Sequence, residues 1–216
     1  MITEQMLDAL RDTLASELSE KRYRHTVEVE RMAIRLGELY APKQISMLRA
    51  AALLHDLTKE YSPDRHLLIC AQKGLPVSRT ELYAPKTFHA KTAAALIPER
   101  FPEFADEALI GCVRWHTTGR EGMTLCEKLI YLADYIDLSR TFADCVTLRT
   151  FFFEARPEEM SFEERMTHLH RTMILSFDMT VRGLLEEGTP ISPDTVGARN
   201  ELICRCRAEE QAATEA

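Results

Sequence analysis

The chain has no long hydrophobic run, no paired-cysteine motif and no excess of positive charge, and each absence removes a class of function. No apolar stretch approaches the length that a membrane-spanning helix needs. The N-terminal stretch MITEQMLDALRDTLASELSEKRYRH carries charge throughout and has no signal-peptide core, so a cytoplasmic protein is expected. The six cysteines, at 70, 112, 126, 145, 204 and 206, form no CxxC pair. That argues against a zinc knuckle or a thioredoxin-type site and for reduced thiols. Lysine and arginine number 27 against 34 acidic residues, a net charge of −7. Broad binding to nucleic acid or to an anionic membrane is therefore not expected, although a local basic pocket is compatible with that balance. Period-two alternation is almost absent, which speaks against a sheet, and there is neither an internal repeat nor a low-complexity block.

What is present reads as helix. The 216 residues, 45% of them hydrophobic, suit one domain with a substantial core. Apolar residues recur at three- and four-residue steps. That pattern predicts helices over about 3–17, 19–40, 44–57, 63–73, 89–99, 103–116, 124–138 and 161–187. Ser62-Pro63 reads as an N-cap followed by proline at the first helical position. Thr124…Glu127 and Ser161…Glu164 have capping-box spacing. Residues 74–87, with Gly74, Pro76 and Pro85, read as a loop around a short helical piece. Residues 188–200 are turn-rich, and a short last helix is expected to lead into a frayed polar tail. The expectation is an all-α, single-domain helical bundle: residues 1–18 as its N-terminal helix, 19–187 as its body, and 188–216 as turn, short helix and tail.

Several polar residues fall where a core should be. His55-Asp56 closes the apolar run Ile45–Leu54, and an imidazole beside a carboxylate at a buried helix end is costly without partners. A divalent metal satisfies both, and nitrogen plus oxygen donors suit iron, manganese or zinc. His25 lies on the stripe Arg22, Val29, Met32, Leu36; alone, a histidine there is more often a hydrogen-bonded core residue than a ligand. Lys59 stands one turn beyond Asp56, where it is either an ordinary helix-end charge or a clamp for phosphate. His89 opens an apolar pattern with Ala93 and Leu96. His116 closes the stripe Ala105, Leu109, Cys112 and runs into Thr117-Thr118-Gly119-Arg120, a plausible phosphate-contacting loop that also resembles an ordinary helix stop. Asp134 sits within LCEKLIYLADYID, a helix apolar almost all round, where a carboxylate is best explained by a cation. His66, His168 and His170 lack such company and are expected to be surface or ordinary helix residues.

The order H…HD…H…H…D resembles that of the HD-domain metal-dependent phosphohydrolases. The words RYRHTVEVERMA, AALLHDLTKEY, VRWHTTGREGMTLCEKLIYLADYIDLSRTF and the LR at 148–149 are similar to the bacterial YqeK family. The resemblance is close over 15–150 and less distinct to about 187. It implies an all-α hydrolase that splits diadenosine tetraphosphate symmetrically into two ADP. It also implies His25, His55, Asp56 and Asp134 as ligands of iron, with a second divalent site in reach and manganese or zinc as other occupants. His89 and His116 would complete that second site or contact phosphate. Arg22, Lys59, Thr117 and Arg140 would hold the phosphates of the nucleotide, beside the metal residues, and Asp56 with Lys59 would carry the chemistry. The region Phe177–Arg182 would add nucleotide contacts, although the family's asparagine is Asp178 here, and its Glu-Pro is Asp137-Leu138. No nucleotidyltransferase domain is expected ahead of the helices, and a homodimer is compatible with the family. Two other readings stay open: a phosphohydrolase of a mononucleotide or guanosine alarmone, and a non-catalytic nucleotide sensor.

Overall fold

In a computed structural model, residues 2–215 are described. They form eleven α-helices and four 3-10 turns, with no strand among the described residues. The starts of the helices follow from local chemistry. Ser19 opens α2 (Glu20–Tyr40) by accepting the Arg22 N–H, and Ser62 does the same for Arg65 ahead of Pro63 in α4 (Pro63–Gln72). Complete capping boxes open α8 (Leu125–Ile136) from Thr124 and Glu127, and α10 (Phe162–Glu186) from Ser161 and Glu164.

The middle of the bundle is α3 (Ile45–Leu54), where Leu48 and the run Ala50–Leu54 are all buried. Helix α1 (Glu4–Glu17) lays Leu7, Leu10 and Leu14 against it, and α2 packs along its length. The approach of α2 to α3 is close: a Cβ on Gly37 would meet Ile45 and Leu48 at 3.1 Å. On the other side α3 meets α7 (Glu107–Trp115) and α8, and α6 (Phe88–Arg100) packs on α7 and α4. The remaining elements are α5 (Arg79–Tyr83), α9 (Ala143–Glu154) and α11 (Pro193–Glu215). Ala198 and Leu202 of α11 join the same hydrophobic cluster as Leu7 of α1, so both chain ends lie on one core.

Three expectations need correction. A helix over Ala143–Glu154 went unpredicted: α9 buries Cys145, Leu148 and Phe152 but leaves Val146 and Phe151 exposed, so its apolar residues mark no single face. The last helix is not short. It begins at Pro193, inside the segment read as turns, and runs to Glu215 through the sequence expected to fray. Finally, α3 stops at Leu54, and His55 to Glu60 form successive turns rather than continuing it to 57.

Candidate metal centre

His55 and Asp56 follow directly on the buried run that ends α3, which carries both into the interior; neither has more than 1% of its surface exposed. Around them, α2 supplies His25, the start of α6 supplies His89, the end of α7 supplies His116, and α8 supplies Asp134. The structure therefore brings all six residues together. One ligand atom each from His25, His55 and Asp134 lies within 4.8 Å of the others, and so does one each from His55, Asp56 and His116.

The imidazoles are oriented from behind. His55, His89 and His116 each donate Nδ1–H to the carbonyl three residues earlier, on Ala52 (2.6 Å), Lys86 (2.7 Å) and Val113 (2.7 Å). In the neutral form of each ring that fixes one tautomer, with the Nε2 lone pair facing inward. His25 is held instead by polar side chains: its Nδ1 lies 3.1 Å from Ser139 Oγ and 3.4 Å from Asp137 Oδ2, and its Nε2 lies 3.0 Å from Asp134 Oδ1. A carboxylate behind an imidazole is the usual backing of a metal-bound histidine.

The facing atoms repel one another as they stand. His89 Nε2 lies 3.0 Å from His116 Nε2 and 3.2 Å from Asp56 Oδ1, all three of them acceptors. His55 Nε2 and Asp56 Oδ1 are buried without a hydrogen-bond partner. Buried acceptors in that state are expensive, and a cation among them removes the cost. Asp56 sits between two groups of donors. Its Oδ2 lies 3.3 Å from His55 Nε2 and 3.7 Å from His25 Nε2, while Oδ1 faces His89 and, at 3.8 Å, His116. One carboxylate thus offers an oxygen to each group.

Titration points the same way. Burial works against a charged His55, but Asp56 and Asp134 outweigh it and raise the group to about 10. Burial and the neighbouring His55 push His116 down to about 4, and burial with Lys59 holds His89 well below the usual histidine value. Burial would raise Asp56, yet His55 and Lys59 hold it well below the usual carboxylate range; Arg140, His25 and His55 do the same for Asp134. The carboxylates demand positive charge. A proton on His55 meets part of that demand, and divalent ions meet it in full.

The expected phosphate-binding residues form the rim. Arg22 pairs with Asp56 Oδ2 and Arg140 with Asp134 Oδ1. Lys59 Nζ lies 3.0 Å from His89 Nε2, and the Thr117 hydroxyl lies 3.0 and 3.1 Å from the Nε2 atoms of His116 and His89. Arg149, the arginine of the LR word, buttresses this rim: its guanidinium donates to the carbonyls of Ile136, Asp137 and Arg140, fixing the turn that carries Asp137, Ser139 and Arg140.

Beyond His116, only Thr117 of the HTTGR word turns to the centre: Thr118 is buried with its hydroxyl on the Gly119 carbonyl, and Arg120 binds Glu127 at 2.9 Å. The reversal happens at Gly119, whose φ of +64° favours glycine and whose Cβ would come 2.9 Å from the Phe177 ring. Within the region 177–182, Phe177 is fully buried against Tyr131, and Asp178 pairs with Arg199 of α11. The three remaining histidines are helix residues, as expected, but none lies on the surface. His66 accepts the Thr92 hydroxyl or donates to it at 2.8 Å, His168 donates to the Phe152 carbonyl, and His170 lies 3.5 Å from Lys128 Nζ; all are buried. The residues missed at the sequence level are Asp137 and Ser139. An acid directly after an apolar helix was the available signal.

With this geometry in place, the profile of the HD domain matches residues 22–139, the segment that runs from Arg22 to Ser139 and contains every residue of the centre. The chain belongs to the HD domain family. It is 33% identical over 186 residues to the symmetrical bis(5'-nucleosyl)-tetraphosphatase of Halalkalibacterium halodurans, covering 86% of this chain and 91% of that protein. The protein of the same name from Bacillus subtilis is 32% identical over 187 residues, 87% of this chain and 92% of the relative. Among solved structures, a predicted HD superfamily hydrolase involved in NAD metabolism from Clostridium acetobutylicum superposes with a TM-score of 0.79 at 30% identity. That match covers 92% of this HD-domain chain and 97% of the other. The likeness therefore extends well beyond the HD segment.

Proposed function

We propose that this HD-domain chain is a hydrolase of dinucleoside tetraphosphates that cleaves diadenosine tetraphosphate symmetrically into two ADP. Identity above 30% with symmetrical tetraphosphatases along about nine-tenths of their length supports that substrate. The converging donors of the centre support the chemistry. The donor set is nitrogen and oxygen without sulfur, which suits iron and also admits manganese or zinc. His25, His55, Asp56 and Asp134 would hold one ion, and His89 and His116 with the second oxygen of Asp56 would hold another.

When bound, divalent ions there would acidify water and offset the negative charge of the reacting phosphates. The chain's own residues do the rest. Asp56 keeps the two donor groups in register, and the carbonyls behind His55, His89 and His116 keep their Nε2 atoms aimed. Arg22 and Arg140, already at the surface of the centre, receive phosphoryl oxygens, and Thr117 can donate its hydroxyl to one. Lys59 places a positive charge 3.8 Å from Asp56 Oδ1, where charge grows on the phosphoryl group as the bond to the leaving ADP breaks. The leaving group is a stable anion and needs little protonation.

Incubation of the iron-loaded protein with diadenosine tetraphosphate, followed by separation of nucleotides, tests the reading. Two ADP per substrate are expected; ATP plus AMP would refute symmetric cleavage, and no turnover would favour a sensor. Faster turnover of a mononucleotide or a guanosine alarmone in the same panel would shift the substrate instead. Lys59→Ala is expected to keep its metal content while kcat falls about 10²–10³-fold, the usual cost of removing one group that stabilises transition-state charge. Loss of metal in that variant would make Lys59 a structural partner of His89.

A further inference from the structure

A tetraphosphate with a nucleoside at each end must reach away from the reacting phosphorus in two directions, so symmetric cleavage calls for two nucleoside diphosphate sites. The centre is flanked by two clefts. One, of about 280 Å³, is lined by Lys59, Tyr61, Lys86 and His89 among others. The second, of about 540 Å³, opens on the opposite side of Asp56, where Arg22, His25 and Arg140 form its inner wall.

The second cleft has an unusual lining for a chain of net charge −7. Four cations face it, Lys21, Arg22, Arg24 and Arg140, and its described lining contains no acidic side chain. Arg22 and Arg140 are anchored to Asp56 and Asp134. Lys21 and Arg24 make no ion pair or hydrogen bond with any described residue. Both stand near the N-terminus of α2, where the helix dipole disfavours a cation, so the chain keeps positive charge there against local electrostatics. Beside these cations the outer rim is apolar: Phe142 is 71% exposed and Leu138 61% exposed, both on the loop that leads from the Asp134 helix into α9. Cations for phosphate next to a bare aromatic face for a base is the chemistry of nucleotide binding.

We propose that this cleft takes the second nucleoside diphosphate half of the substrate. Lys21 and Arg24 hold its phosphates, and Phe142, backed by Leu138, stacks on its base. The first half then occupies the cleft of Lys59 and Tyr61, and the bond between the two inner phosphates lies over Asp56. The proposal rests on the dinucleotide reading above, but it can be read without turnover. Titration of ADP, the product, into the metal-loaded full chain by calorimetry is expected to show two ADP bound per chain. Phe142→Ala should weaken one of them by about 5- to 150-fold, and Phe142→Trp should restore it. Lys21→Ala/Arg24→Ala should weaken the same one. In turnover, Phe142→Ala should erase the preference for the dinucleotide over adenosine 5'-tetraphosphate, which carries one base only. Phe142 is largely solvent-exposed, so its replacement leaves the core intact.

One ADP per chain at saturation overturns the proposal, as does a Phe142→Ala protein that keeps both its second ADP and its dinucleotide preference. So does a concentration-dependent dimer that Phe142→Ala dissociates with ADP stoichiometry unchanged, because the apolar rim would then belong to a contact between copies. If diadenosine tetraphosphate is not split into two ADP while two ADP still bind, the substrate reading fails and the cleft stands. If it is split symmetrically with one ADP bound, the cleft fails and the substrate reading stands.

Discussion

Asp56→Ala is expected to abolish turnover and to strip the protein of most of its metal, the largest single effect available in this chain. Asp56 is the one residue with an oxygen toward each group of donors: Oδ2 toward His25 and His55, Oδ1 toward His89 and His116. Any other substitution among the six weakens one group, and this one removes the link between both. Removing an outer partner of a metal ligand typically costs about 10- to 100-fold in affinity or activity, so loss of a shared ligand should exceed that range. Arg22 would also be released from its carboxylate and left beside the imidazoles, adding a repulsive charge where a cation must bind. Asp134→Ala should follow with a smaller loss, because Asp56 remains. Elemental analysis of the purified variants together with product analysis reads both effects. Full activity in a metal-depleted Asp56→Ala protein would refute metal-dependent hydrolysis by this centre.

The legible parts of the molecule were those set by local chemistry. Ser62-Pro63 and the two capping boxes announce their helices within four residues, and His25 and His116 reveal an inward aim because apolar neighbours repeat at helical spacing around them. Asp134 was legible for the same reason, as a charge inside a helix with no polar face. What escaped was set by contacts distant in sequence. His66 is buried because Phe88 stacks on it and Thr92 meets its Nδ1, both from a helix more than twenty residues away. The segment Thr117-Thr118-Gly119-Arg120 reads equally as a phosphate-contacting loop or a helix stop, and it is the positive φ of Gly119 that turns Arg120 toward Glu127. Helix α9 hid because both of its faces carry large apolar residues. Two exposed residues nearby, Leu138 and Phe142, border the cleft of Arg22 and Arg140.

Removing the metal should lower the melting temperature substantially, and the size of the drop should depend on pH in a definite direction. An ion held at a thousand times its dissociation constant stabilises the folded state by about 4 kcal/mol. In a chain of this length that corresponds to roughly 8–16 °C. The chelated protein should then be most stable near pH 6.5. His55 titrates near 10 in the folded state, above its ordinary value of 6.5, because Asp56 and Asp134 outweigh its burial. Its contribution is complete below 6.5 and is lost as pH rises toward 10. His116 and His170 titrate near 4, held down by burial first and then by His55 and Lys128 respectively. Their contributions are complete above 6.5 and are lost as pH falls toward 4, since the unfolded chain takes up those protons first. Metal removes the alkaline decline. It replaces the proton on His55, so its binding tightens as that proton leaves, and the loaded protein should not share the alkaline decline. The gap between loaded and chelated melting temperatures should therefore widen from pH 6.5 upward in scans of both forms. A gap that stays constant, or narrows with rising pH, would mean that the proton on His55 and the metal do not compete for the same lone pair.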